Sequence, residues 1–283
     1  GKVLADAATA SFLSHQSKCE AAYQEGVADK VIAMKAKLEE EIGEELPLEL
    51  PQEGGTTATA MIIHPGGLLI SWVGDSRAIV AVEGAQTGGA GSTLVAVPLT
   101  KDHNTFDEGE RLRLLSVGGK TGKDGMRSHV FVPQAEGGLK VTRSLGDSPF
   151  HRGDAVSAAP GVRHVRFDSA ARFAVIASDG IWDHLSGQQV ADIVTDAVRQ
   201  EEVEAATGLL AGGSGTPPSS QTSMRSNAAS RARRRQVGAA PMAACRAVLD
   251  HIAKIQAEGT AESPHVDDRS IVVVLFTQCG ERQ

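Results

Sequence analysis

Two stretches combine carboxylates with flanks able to hold them rigidly: Phe173-Ala-Val-Ile-Ala-Ser-Asp179-Gly-Ile-Trp-Asp183 and His265-Val-Asp267-Asp268-Arg-Ser-Ile-Val-Val-Val-Leu-Phe276. In each, a run of apolar residues lies close to the acid, the pattern of a buried strand with a carboxylate at its end. Such a carboxylate is a hard oxygen donor suited to a divalent cation, with water completing the shell. A simpler account makes Asp179-Gly180 a turn and Asp267-Asp268 a solvated loop, and from these two stretches alone it is the stronger one.

The elements that must position these residues are mixed. Helical spacing of small and apolar residues marks 4–13, with Leu4, Ala8 and Phe12, and continues through Val27, Val31, Met34 and Leu38. Residues 57–63, 68–73 and 78–82 are predicted as consecutive antiparallel strands, turned by Pro65-Gly66-Gly67 and Gly74-Asp75-Ser76. A capping box at Thr105 to Glu108 predicts a helix closed by Gly118-Gly119. Further strands are expected at 139–142, 162–167 and 173–177, and a second capping box, Ser186 to Gln189, opens a helix burying Val190, Ile193, Val194, Ala197 and Val198. Residues 206–240, with Gly-Gly-Ser-Gly, Thr-Pro-Pro-Ser-Ser and Ser-Arg-Ala-Arg-Arg-Arg, are read as a disordered low-complexity insertion. Pro241 is placed in the first turn of a helix carrying Val248, Leu249, Ile252 and Ile255, and 271–276 forms the last strand.

The chain of 283 residues, 41% hydrophobic, suffices for one domain, 1–283, with one flexible insertion. Its formal charge of −7 argues against nucleic acid as a partner, since phosphate backbones need a basic face. Cys19, Cys245 and Cys279 are too far apart for a metal pair and read as reduced intracellular thiols. The longest apolar run, 271–276, is too short to span a bilayer, and no signal pattern opens the chain. A soluble monomer in the cytoplasm is expected, with a nuclear location as the alternative. The basic cluster Arg231, Arg233, Arg234 and Arg235 reads as solvated linker before it reads as an address or an acidic-partner site.

An ordered series changes the weighting of the acidic stretches. Thr56-Thr57-Ala58, Val73-Gly-Asp75-Ser-Arg77-Ala78, Leu99-Thr-Lys-Asp102-His103, Arg111 with Gly118-Gly119, and Leu139-Lys-Val-Thr-Arg143-Ser-Leu-Gly-Asp147 precede Ser178-Asp179-Gly180 and Asp267. Each motif is weak alone; as an ordered set the series resembles the protein phosphatase 2C (PPM) family over almost the whole chain. The resemblance implies an α+β fold, a four-layer α-β-β-α sandwich of two antiparallel sheets, with its N-terminal strands missing. It implies metal-dependent hydrolysis of phosphoserine and phosphothreonine in proteins by a metal-activated water, with two manganese or magnesium ions and a third, weaker site.

Carried over by motif, Asp179 and Asp267 would ligate the metal pair, and Asp102 and Asp183 would contribute to the third site. Without the resemblance, Asp102 reads as a turn aspartate and Asp183 as a helix-approach cap. Asp268 stands where the family usually has asparagine. Asp75 and Asp147 shape turns, Arg77 and Arg143 are expected to be paired structural arginines, and His103 a packed or solvent-facing histidine. No catalytic residue is assigned within the chain: the family's Asp-Gly-His-Gly-Gly motif, with its bridging Asp and general acid, is expected upstream of Gly1. Without that bridging carboxylate, metals about 3.5 to 4 Å apart would repel, so the 283-residue chain alone is expected to bind metal poorly and to be inactive. The competing class is a pseudophosphatase, a non-catalytic interaction module; four ligand-type carboxylates favour the enzyme.

Overall fold

In the computed structural model, residues 2–23, 29–43, 54–64, 66–84, 93–124, 127–132, 137–166, 170–211, 222–257 and 268–276 are described. In chain order the elements are α1 (Lys2–Tyr23), α2 (Asp29–Ile42), β1 (Gly55–Thr56), β2 (Ala58–His64), β3 (Gly67–Val73), β4 (Arg77–Glu83), β5 (Leu94–Pro98), α3 (Glu108–Ser116), β6 (Lys120–Asp124), β7 (Arg127–Phe131), β8 (Leu145–Gly146), α4 (Ser148–His151), β9 (Gly161–Val165), β10 (Ala171–Ala177), α5 (Asp179–Trp182), α6 (Gly187–Ala211), α7 (Thr222–Ala257) and β11 (Ile271–Leu275). They sort into two compact units interleaved along the chain, residues 1–76 with 100–166 and residues 77–99 with 167–283. The result is an α+β fold whose strands pair antiparallel.

The first unit is built on a three-stranded sheet in the order β2-β3-β9. All of β3 is buried, as its apolar run interrupted only by Ser71 demands: a strand without alternation must be covered on both faces. Gly67 begins β3 at φ +145, where the Val165 carbonyl leaves no room for a side chain. Along α1, Ala5, Ala8, Phe12 and Gln16 recede from solvent at helical spacing. The Gln16 amide then makes a two-way rung with the Gly146 backbone: Nε2 donates to the carbonyl at 3.1 Å and Oε1 accepts from the amide at 2.8 Å.

A smaller core of Leu114, Val130, Val132, Phe150, Ala155 and Val156 lies between α3, the β6-β7 hairpin and α4. The cap of α3 is Asp107, which accepts from the Glu110 amide at 3.0 Å, and not Thr105, which is buried. An aspartate there does what the expected threonine would, and adds an ion pair to Lys101 and a charge favoured at a helix N-terminus. The other end closes as expected. Gly118 takes φ +79, its amide donates to Leu115 and that of Gly119 to Leu114, the paired bonds of a Schellman motif. Residues 139–142, expected as a strand, make isolated bridges only, Leu139 with Val130 and Val141 with Asn104.

The second unit carries a four-stranded sheet in the order β11-β10-β4-β5. One face, with Ile79, Ala81, Phe173, Val175, Ala177 and Val273, packs against Val190, Val194 and Ala197 of α6 and Ala244, Val248 and Ile252 of α7. The Ser186 to Gln189 capping box is reciprocal: Gln189 Oε1 accepts from the Ser186 amide at 2.8 Å and Ser186 Oγ from the Gln189 amide at 3.3 Å.

Two expectations change here. Pro241 lies inside α7 rather than at its start. Core packing from Ala244 onward holds the helix beyond the proline, and the stretch before it is rich in Ala and Arg, which have high helix propensity, so the lost hydrogen bond does not end the helix. Residues 206–240, read as a disordered loop, are helical where described: α6 continues to Ala211 and α7 starts at Thr222, with 212–221 outside the described residues. Few large apolar residues exclude a core position; they do not exclude a helix.

Candidate metal centre

Asp179 and Asp183 follow the end of the four-stranded sheet where β10 leaves it. β10 and β11 pair up to Ala177 opposite Ile271. The Ser178 amide adds one more bond, to the Ser270 carbonyl at 3.0 Å. Thereafter the Ser178 hydroxyl takes over, accepting from the Ser270 amide at 3.0 Å and donating to the Asp268 carbonyl at 3.2 Å.

Asp179 opens α5 immediately beyond, and Asp183 follows one turn later, its amide donating to the Asp179 carbonyl at 2.8 Å. Buried Ile181 and Trp182 root this turn, with Trp182 Nε1 donating to the Ala177 carbonyl at 2.7 Å. Asp179 is half-buried and Asp183 exposed. Gly180 admits no side chain, because a Cβ there would lie 2.6 Å from the Asp268 carbonyl oxygen. Asp267 lies outside the described residues; its neighbour Asp268 is bonded to the Ser178 turn through its carbonyl.

Asp102 belongs to the other unit, half-buried in a segment held on both sides. Trp72 Nε1 donates to the Lys101 carbonyl at 2.8 Å. The His103 amide donates to Gly74 at 3.0 Å, and the His103 carbonyl accepts from Thr142 at 2.8 Å. The His103 ring stacks on Trp72 with centroids 5.6 Å apart and planes 6° from parallel. Burial, with the nearby Arg143 charge, lowers the imidazole pKa to about 4, so His103 is a packed neutral residue.

The turn residues have structural work. Asp147, buried at φ +49, accepts from Ser144 Oγ at 2.7 Å, and its carboxylate fills the space a side chain at Gly55 would need. Arg143 is indeed paired. Its partner Glu110 escaped the sequence reading, although this buried carboxylate accepts from Arg143, from Thr142 Oγ1 at 2.8 Å and from Arg113 Nη2 at 3.4 Å. Burial alone pushes the Glu110 carboxyl up; the Arg143 and Thr142 hydrogen bonds with the two guanidinium charges outweigh it, and the net shift is down.

The donors at the β10 end are carboxylates in kind and fit a hard cation such as Mn2+ or Mg2+. Among the described residues, Asp179 and Asp183 share one turn, and no three His, Cys, Asp or Glu side chains converge into a cation site.

Carboxylates placed where a strand of an antiparallel sheet meets a short helix are compatible in donor chemistry with a hard divalent cation. Comparison with known proteins narrows this. The sequence profile of Protein phosphatase 2C matches residues 3–213, and the chain belongs to that family. It is 34% identical over 153 residues to "Probable protein phosphatase 2C 48" of Oryza sativa subsp. japonica, an alignment covering 52% of this chain and 42% of that protein. Against human "Protein phosphatase 1G" it is 30% identical over 165 residues, 56% of this chain and 27% of the relative. The chain thus spans less than half the length of these curated relatives. Among solved structures, "serine-threonine phosphatase 2C from Toxoplasma gondii" superposes with TM-score 0.56 at 18% identity, over 90% of this chain and 65% of that one. A C. elegans sex determining protein superposes with TM-score 0.51 at 19% identity, over 86% and 43%. Both likenesses support the fold.

Proposed function

We propose that the protein is a metal-dependent phosphatase hydrolysing phosphoserine and phosphothreonine in proteins. Family membership supports the reaction class. The observation that carries it to particular residues is the strap from Ser178 to 268–270, which ties the chain beside Asp267 to the turn bearing Asp179 and Asp183.

When bound, Mn2+ or Mg2+ supplies an activated water and charge stabilisation on the phosphoryl oxygens. Asp179 with Asp267 would hold a metal pair, and Asp183 would contribute to a third, weaker ion. Ser178 and Gly180 keep the two acidic segments close, while Trp182 anchors the turn beneath them. His103, neutral and stacked, fixes the backbone around Asp102 and moves no proton.

The substrates are phosphoproteins, and the protein acts as a monomer without nucleic acid or membrane, in the cytoplasm or nucleus. The net charge of −7 supports the absence of a nucleic-acid role. Among the described residues, Cys19 and Cys245 are free thiols. No helix among the described residues is long and apolar enough to cross a membrane. No observation favours the non-catalytic alternative.

The test is hydrolysis of a phosphothreonine peptide by the full-length protein in Mn2+, against Asp179→Asn. Removing one ligand charge should lower kcat by at least about a hundredfold, the effect of losing several kcal/mol of transition-state stabilisation, with the circular dichroism spectrum unchanged. Equal rates for both proteins would overturn the assignment.

A further inference from the structure

Ser178 sits where an N-cap belongs, between β10 and α5, in extended conformation at φ −77 and ψ 168. A serine there ordinarily turns its oxygen onto the amides of its own helix. Ser178 makes no such cap bond. Its hydroxyl instead accepts from the Ser270 amide at 3.0 Å and donates to the Asp268 carbonyl at 3.2 Å, across 92 and 90 residues of sequence.

The side chain thus replaces a rung that the departing backbone of β10 can no longer supply. The effect is a close approach. The Asp268 carbonyl and the Arg269 stem lie so near Gly180 that a Cβ would meet them at 2.6 and 3.1 Å. Arg269 is fixed from the far side by a hydrogen bond to Gln256 of α7. The segment leading into β11 is thereby held against the first residues of α5, the helix that begins at Asp179.

We propose that Ser178 is a positioning residue whose hydroxyl sets the separation between the Asp179 turn and the segment from Asp268 into β11, and through it the affinity for the divalent cation. This role rests on the metal-dependent reading above. A hydroxyl suits it because the position needs a donor and an acceptor on one small side chain. Alanine removes both, and threonine keeps both. Gly180 offers an independent handle on the same separation, since Gly180→Ala pushes the segment away without touching any hydroxyl.

Two measurements separate this role from simple stabilisation: amide exchange at Ser270 by NMR or mass spectrometry, and Mn2+ affinity by calorimetry on the full-length protein at a temperature where every variant is folded. Ser178→Ala should expose the Ser270 amide and weaken Mn2+ binding by roughly ten- to a hundredfold, the usual effect of losing a partner that orients a metal ligand. Gly180→Ala should weaken Mn2+ binding comparably, and Ser178→Thr should restore both readouts. Faster Ser270 exchange in Ser178→Ala with unchanged Mn2+ affinity overturns the positioning role. Unchanged exchange overturns the hydrogen bond on which it is built. Failure of the unaltered protein to bind Mn2+ overturns the metal reading, and this role with it.

Discussion

Replacing Glu110 by alanine would remove the acceptor that organises the ion-pair cluster of the first unit. The Glu110 side chain is 7% exposed, against 21% for Arg143 and 26% for Arg113. Around it, Arg143 Nε donates at 3.1 Å and Thr142 Oγ1 at 2.8 Å. The same arginines reach outward, Arg143 to the Ala159 carbonyl at 2.8 Å and Arg113 to the carbonyls of Asp154 at 2.7 Å and Thr142 at 2.8 Å. One carboxylate on α3 therefore secures three separate loop segments.

Its loss leaves two guanidinium groups facing a cavity without a counter-charge. Breaking a buried pair from one side costs about 3–5 kcal/mol, and the partial exposure of both arginines puts Glu110→Ala near the lower figure, about 3 kcal/mol. Urea unfolding at pH 7 measures it. Trp72 lies in the first unit and Trp182 in the second, so variants retaining one tryptophan each report which unit yields. Glu110→Leu combined with Arg143→Met should cost less than Glu110→Ala alone, because only the more exposed Arg113 is then left without its carboxylate partner. The Glu110 pKa is depressed in the fold, so the cluster's contribution is complete above the unfolded carboxyl pKa and is lost as pH falls through the lower folded value. A loss below about 1 kcal/mol for Glu110→Ala, or strict additivity of the Glu110 and Arg143 changes, would refute the keystone role.

Acid should also act through His103. Its folded pKa of about 4 lies below the ordinary 6.5, so stability is present above that ordinary value and declines as pH drops from 6.5 towards 4. The decline should reach about 3 kcal/mol, and His103→Phe should flatten this part of the stability curve measured by chemical unfolding. Gly55→Ala drives a methyl into the Asp147 carboxylate and should lower stability by about 2 kcal/mol; adding Asp147→Gly, which also relieves a non-glycine φ of +49, should recover part of the thermal midpoint. Gln16→Ala strips the Gly146 backbone of both partners and should cost about 1–3 kcal/mol in thermal unfolding, with Gly146 amide exchange accelerated.

What the sequence disclosed depended on how far each residue's partner lies along the chain. The continuous apolar run of β3, the Gly118-Gly119 stop and the Ser186 to Gln189 box are each completed within a few residues, and each forms as expected. Glu110 could not be read the same way. In the first turn of a short helix an acid looks like an answer to the helix dipole, and its partners Thr142 and Arg143 come 32 and 33 residues later. Pro241 misled for the same reason, since the packing that carries α7 past it comes from α6 and β11.

Gly180 joins the two kinds of information. In sequence, Asp179-Gly180 has the composition of a turn, and a turn alone would have been sufficient reason for the glycine. In the structure Gly180 is the second residue of a short helix and stays glycine because the Asp268 carbonyl occupies the place of its side chain. The local reading named the right residue for an incomplete reason. The missing part, a contact with a segment almost ninety residues away (Gly180 to Asp268), is what gives Asp179 a second acidic segment as its neighbour.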